Sequence, residues 1–328
     1  MLATLARGIS ALIAWAAVLV VLAWVVARAV GDRVELLQHP SWVPAHFMLV
    51  GALFAVFSAT MLIAGVRRKE RRRPPIGLVL LWLCVLGLGG YVALVEHRVQ
   101  GLLGEPGEGG IELLFWNQAG GNIEPEAVER LIGRSDPAII TDFRTRGGPG
   151  RIPRRSVRAG TFTIFTDREV IESRAQTLGF RATRFGAEPS PAAIDPGWFV
   201  RVALGPSPED PEPIELWLID LPSDIRLHRM EVLERAAEAA AGLPEPDFII
   251  GDFNTPRGAP SLRRLVGGRV EASASGGPYL LRGTWPRRTP LWHLDMLYPS
   301  DGWRATDYRI VDPGTGTHMA IRARLERR

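Results

Sequence analysis

The sequence predicts three transmembrane helices followed by an α/β domain in which two sheets stack as a sandwich. Three observations predict it. Residues 8–27, 47–66 and 74–95 carry no charged side chain, and each run is close to the ~20 residues that cross a bilayer. Beyond residue 110, short strand-like apolar stretches are interleaved with a few helical ones, a pattern that suits a layered sandwich better than a strict βαβ array. Third, the apolar run Phe248-Ile249-Ile250 stops at Gly251 and then presents Asp252 and Asn254. Residues i and i+2 of an extended segment point the same way, so a carboxylate and a carboxamide share one face at a strand end.

Composition agrees with a membrane part joined to a globular part. The 328-residue chain is 46% hydrophobic, and its mean hydropathy is slightly positive. Cys84 is the only cysteine, which excludes an internal disulfide framework. The net charge of +4 suggests a polyanion binder until it is located. Residues 1–109 hold ten Arg/Lys and six Asp/Glu, and the remainder holds 29 of each. The excess therefore belongs to the membrane part, and the argument from charge for nucleic acid is weak. Lys69 is the only lysine; the arginine bias suits phosphate recognition but also follows from a GC-rich genome.

Taken in order, the spans are expected over about 8–28, 47–66 and 75–95. A cleaved signal peptide is disfavoured, because the first apolar run is too long and two further spans follow. Arg67-Arg68-Lys69-Glu70-Arg71-Arg72-Arg73 places six basic residues between the second and third spans. The positive-inside rule puts that loop in the cytoplasm. The N-terminus is then cytoplasmic, and the 31–46 loop and everything after residue 96 lie outside. The expected location is the cell (inner or cytoplasmic) membrane, multi-pass, with the lipid bilayer as partner and an extracytoplasmic C-terminal domain.

Residues 101–110, rich in glycine, read as a tether. The domain then occupies 111–328. Strands are expected at Ile111–Trp116, Ala138–Phe143, Thr161–Thr166, Trp198–Leu204 and Ile214–Ile219, and from Asp247 into the Gly-Asp-Phe-Asn stretch. Helices are expected at Pro125–Gly133, with Glu124 and Glu126 at its N-terminal end, and at Leu227–Ala241. The Pro/Gly-rich stretches 146–153, 187–197 and 205–213 read as loops. Arg154, Arg155 and Arg158 read as a solvated face.

Asp252 and Asn254 can cap their own backbone as an Asx-turn, but three other stretches point to a site. Leu114-Phe115-Trp116-Asn117, Trp292-His293-Leu294-Asp295 and Gly316-Thr317-His318, together with Gly251-Asp252-Phe253-Asn254, resemble in order the motifs of the endonuclease/exonuclease/phosphatase superfamily. The resemblance runs from about residue 110 to residue 328. It implies a two-sheet sandwich that hydrolyses phosphate esters with a divalent metal, usually Mg²⁺. By position it implies that Asn117 assists the metal and phosphate. Asp252 and Asn254 would handle the nucleophile and phosphate, and Asp295 would orient His318, which contacts phosphate or moves a proton. Thr284-Trp285-Pro286 also resembles the family and reads as a turn that packs its Trp on the core.

The departures bear on the metal. Arg144 is read at the position of the family's metal-binding Glu, Asp220 stands where a His is usual, and Thr317 replaces the Asp before the final His. Three readings follow. Asp142, two residues before Arg144, could join Asp220, Asp252 and Asn117 in a rebuilt metal site. Arg144 could instead face the phosphate as a fixed positive charge. Hydrolysis could also be lost, leaving an extracytoplasmic binding domain. A guanidinium beside a dication is repulsive by several kcal/mol even at an effective dielectric near ~20. The expected function is a membrane-anchored phosphoesterase acting on a phosphodiester or phosphomonoester with a rearranged site. No obligate protein partner is implied.

Overall fold

The computed structural model describes residues 2–64, 74–96, 109–120, 122–146, 148, 152–183, 194–275 and 283–328. The chain divides into two compact units, Met1–Arg98 and Val99–Arg328.

In the first unit α1 (Leu2–Val30) is followed by a 3-10 turn at Gly31–Arg33, α2 (Glu35–Ser41), α3 (Ala45–Ala64) and α4 (Ile76–Tyr91), which continues as a π-turn through Glu96. The three long helices are each long and apolar enough to cross a membrane. Ala14, Val18, Val21 and Trp24 recur at helical spacing along α1 and pack against Ala52, Val56 and Ala59 of α3 and Leu81, Val85 and Leu88 of α4. Large apolar side chains such as Leu12, Leu19, Phe54 and Leu86 remain exposed. The 31–46 stretch, expected as a plain loop, contains α2. The basic 67–73 segment and residues 101–108 of the expected tether lie outside the described residues.

The second unit is a sandwich of two mixed sheets. Its strands are β1 (Ile111–Asn117), β2 (Ala138–Thr141), β3 (Ser156–Ala159), β4 (Phe162–Phe165), β5 (Val170–Thr177), β6 (Ala182–Thr183), β7 (Ile194–Asp195), β8 (Trp198–Leu204), β9 (Ile214–Asp220), β10 (Phe248–Asp252), β11 (Asp295–Pro299), β12 (Trp303–Val311) and β13 (Ala320–Arg327). One sheet has the order β12-β13-β1-β2-β4-β3 and the other β11-β10-β9-β8-β5, with β6-β7 a separate ribbon. β1–β2 and β9–β10 are parallel.

Alternation assigns the faces. Leu113, Phe115, Ile139, Phe162 and Ile164 of the first sheet meet Val200, Val202, Leu216, Leu218, Phe248, Ile250 and Leu297 of the second in the central core. The opposite parity packs outward. Leu114, Trp116 and Ile140 lie under α5 (Pro125–Ile132). Phe199, Ile219, Ile249 and Met296 lie under α6 (Arg229–Ala240) and the short α7 (Arg263–Val266). Continuing the inner parity past the core places Asn117 at the end of β1, Thr141 at the end of β2, and Asp220, Asp252 and Asp295 on β9, β10 and β11. The site is thus the polar rim of the central core.

Strands β3, β5, β6, β7, β12 and β13 were not expected, and β7 lies within the 187–197 stretch read as a loop. The residues of β5 after Val170 are all exposed, so no apolar alternation marks it. β12 carries an irregularity between Ala305 and Asp307 that breaks its period. Arg154 is not a solvated residue: it donates to the Ser135 carbonyl at 2.7 Å and pairs with Asp167 at 3.3 Å.

Candidate active site

The strand ends bring four distant stretches together. Register places Asp252 level with Asp295 on one side and Asp220 on the other, so three carboxylates form a row across β11, β10 and β9. Gly251 makes the close approach of β10 to β9 possible: a Cβ there would lie 1.8 Å from the Ile219 carbonyl oxygen. From the facing sheet, Asn117 Nδ2 donates to Asp252 Oδ2 at 2.7 Å. Asn254 turns back with φ 44°. Its backbone N–H donates to Asp252 Oδ1 at 2.8 Å, and its Nδ2 donates to the Leu221 carbonyl at 2.7 Å and to Asp252 Oδ2 at 3.1 Å. The Asx-turn and the site are therefore the same feature, because the turn aims both side chains.

His318 closes the cluster from the loop before β13. Its Nδ1 lies 2.9 Å from Asp295 Oδ2 and its Nε2 lies 3.9 Å from Asp252 Oδ2. Trp116 Nε1 donates to the His318 carbonyl at 3.2 Å. Asn117, Asp252, Asp295 and His318 are all at most 5% exposed. Burial, then the neighbouring charge of Asp295, pushes the Asp252 carboxyl up to about 7. Burial alone would lower His318, but the charge and hydrogen bond of Asp295, with the charge of Asp252, outweigh it and raise the imidazole to about 9. The imidazole thus favours its protonated form beside the carboxyl groups of Asp295 and Asp252.

The other expected residues are placed differently. β2 ends at Thr141 rather than Phe143. Asp142 then adopts φ 51° and accepts a hydrogen bond from Thr161 Oγ1 at 3.0 Å. The strand face that Asp142 and Arg144 were expected to share does not form, because left-handed backbone ends the alternation. Arg144 is exposed. Its backbone is held by Gln118, whose Oε1 accepts from the Arg144 N–H and whose Nε2 donates to the Arg144 carbonyl, both at 2.9 Å. Thr317 is exposed and donates its hydroxyl to the Ala119 carbonyl at 3.3 Å. Asp220 is half-buried beside Asp252.

Two supporting residues escaped the sequence reading. Gln118 is fully buried and fixes the turn after β2; its position directly after Asn117 was the available signal. Thr284 Oγ1 accepts from the Leu294 and Asp295 N–H groups at 3.0 and 3.1 Å, and its carbonyl accepts from Met319 N–H at 2.7 Å. It ties the Asp295 strand to the His318 segment, a role that the Thr-Trp-Pro stretch hinted at.

The donor set fits a hard divalent cation. Asn117 Oδ1 and Asp295 Oδ1 are buried oxygens without a hydrogen-bond partner. Ligand atoms of Asp252, Asp295 and His318 all lie within 4.8 Å of one another. Carboxylate and amide oxygens suit such an ion.

Comparison with known proteins agrees with this architecture. No curated protein matches. A solved endonuclease/exonuclease/phosphatase family protein from Bacteroides thetaiotaomicron superposes with a TM-score of 0.50 at 12% identity, covering 67% of this chain and 98% of that one. A mannosyl-6-phosphatase from the same organism gives 0.49 at 12% identity, covering 66% and 99%. The sequence profile described as "Endonuclease/Exonuclease/phosphatase family" matches residues 145–317. With that match over more than half its length, and with the two-sheet sandwich and its motifs in place, the chain belongs to the endonuclease/exonuclease/phosphatase family.

Proposed function

We propose that this chain is a membrane-anchored phosphoesterase that hydrolyses a phosphodiester or phosphomonoester at the cluster of Asn117, Asp252, Asn254, Asp295 and His318. One observation carries the reading. Side chains from four stretches of sequence meet in a single hydrogen-bonded group whose carboxylate and imidazole sit at about 7 and about 9.

Each group has a task that follows from its environment. Asp252 Oδ2, titrating near neutrality, accepts the proton of the attacking water. Asn254 and Asn117 orient that carboxylate and contact the phosphoryl group. Asp295 holds Nδ1–H of His318, which leaves Nε2–H to stabilise a phosphoryl oxygen or to protonate the departing one. Asn117 Oδ1 and the carboxylates of Asp252 and Asp295 would hold a divalent cation, with Mg²⁺ favoured by the hard oxygen donors. When bound, such an ion withdraws charge from the phosphoryl oxygens. Asp220 adds negative charge beside this set. Arg144, exposed on the outer rim, would meet only a substrate that extends beyond the buried cluster.

The six basic residues of the 67–73 segment support an extracytoplasmic active domain in the cell membrane. The second reading, a binding domain without turnover, is favoured by the exposed Arg144 and by the turned-away Asp142, which leave β2 without an inward carboxylate. A metal-titrated assay of the full chain in detergent on generic phosphomonoesters and phosphodiesters decides between them. Turnover that needs a divalent ion and disappears in Asp252→Ala and His318→Ala supports the enzyme. Absence of turnover with every metal, or turnover indifferent to both changes, removes it.

A further inference from the structure

A second buried polar cluster adjoins the site and has no role in the chemistry above. Its centre is Glu271, whose side chain is 4% exposed. Arg257 grips it with both arms of the fork, Nε to Oε2 at 2.8 Å and Nη2 to Oε1 at 2.9 Å. Ser273 Oγ donates to Oε1 at 2.7 Å, and His293 Nε2 lies 3.2 Å from the same oxygen. The Tyr308 hydroxyl is 3.2 Å from His293 Nε2. His293 Nε2 thus faces both the Glu271 carboxylate and the Tyr308 hydroxyl.

The partners of Glu271 are the roots of the two arms of the site. Arg257 lies three residues after Asn254, and His293 lies two residues before Asp295. The two segments are also stitched by backbone, Phe253 N–H to the Leu294 carbonyl at 3.0 Å and Arg257 N–H to the His293 carbonyl at 3.3 Å. Asn254 lies between those two bonds in left-handed backbone, a conformation that needs outside support.

We propose that Glu271 is a positioning residue: its single carboxylate anchors the Asn254 loop through Arg257 and the Asp295 strand through His293, and so sets the spacing between the two arms. The inference rests on the phosphoesterase reading for its kinetic test but not for its structural one. Bidentate guanidinium–carboxylate pairs fix geometry as well as contributing energy, and small misplacements of reacting groups are costly in rate.

The test compares three variants of the full chain in detergent. Glu271→Gln alone takes away the carboxylate charge that Arg257 faces and is expected to lower stability. The double change Glu271→Gln with Arg257→Met removes the guanidinium charge as well and is expected to restore the unfolding midpoint. A role confined to stability would then restore turnover as well. Positioning predicts instead that kcat stays down by about 10- to 100-fold while KM for the ester stays within about twofold, and that Arg257→Lys, whose ammonium cannot reproduce the fork against both carboxylate oxygens, also lowers kcat more than KM. In asparagine-labelled protein the Asn254 carboxamide resonance is expected to move in the double variant and in Arg257→Lys. A wild-type kcat in the double variant, a loss confined to KM, or an unmoved Asn254 resonance overturns the proposal. If the wild-type chain turns over no ester, the phosphoesterase reading falls, and the resonance alone decides this one.

Discussion

The rim of the site is built unequally by its two sheets. The β9–β10–β11 side contributes Asp220, Asp252 and Asp295 in one row, and burial, followed by the charge of Asp295, raises the Asp252 carboxyl to about 7. The β1–β2 side contributes the neutral Asn117 and Thr141, and its one nearby acid, Asp142, turns toward Thr161. A cation in this cleft would be held chiefly from one wall, with an amide opposite. Under the proposed function the difference divides the labour: the charged wall would hold and move protons, and the neutral wall would orient.

The largest expected effect is on the charged wall. Asp252→Asn should lower kcat by about 10³-fold, and its single carboxamide oxygen can keep only one of the hydrogen bonds from Asn254 N–H and Asn117 Nδ2. Steady-state kinetics with saturating Mg²⁺ checks it. Next, Asp295→Asn should cost about 100-fold and should lower the alkaline limit of the rate profile, because His318 loses the charge that raises it most.

Stability against pH sharpens the same contrast. Asp252 titrates higher folded (about 7) than at its ordinary value of 3.8, so the folded state binds the extra proton. Stability should therefore fall as pH rises from about 4 to about 7. His318, raised from 6.5 to about 9, contributes stability that is complete below 6.5 and lost as pH climbs through about 9. Thermal unfolding should show a midpoint that declines from pH 5 to 9. Asp252→Asn should flatten the acid half of that decline, and added divalent ion should oppose it at pH 8.

The smallest effects belong to the neutral wall. Asp142→Asn and Arg144→Ala should each change kcat/KM for a small ester by less than about threefold, in line with surface substitutions away from the chemistry. A loss from Asp142→Asn as large as that from Asp252→Asn would break the comparison and move the metal to β2.

Much of this was legible in the sequence, for reasons that can be named. The three spans follow from uncharged length. The inner core follows from strands such as Ile214–Asp220 and Phe248–Asp252, whose apolar residues alternate or run together before a Gly. Asn117, Asp252, Asn254, Asp295 and His318 were legible because each sits at a motif joined to such a strand. The turn after β2 was not, since nothing in Thr141-Asp142-Phe143-Arg144 announces a left-handed residue at Asp142. β12 escaped because the irregularity between Ala305 and Asp307 breaks its alternation, whereas β13, though not expected, was legible in the alternation of Ile321, Ala323 and Leu325 with Arg322, Arg324 and Glu326. Glu271 escaped entirely: a single acid in a polar loop acquires meaning only once folding brings Arg257 and His293 to it.

The glycine before Asp252 has a consequence beyond packing. With 1.8 Å between a would-be Cβ and the Ile219 carbonyl oxygen, even alanine at 251 would pry β10 away from β9. The gap between Asp220 and Asp252 is therefore gauged by the absence of a side chain one residue earlier. The first letter of Gly-Asp-Phe-Asn is a spacer, and it governs how tightly two negative charges are crowded without ever touching a reactant.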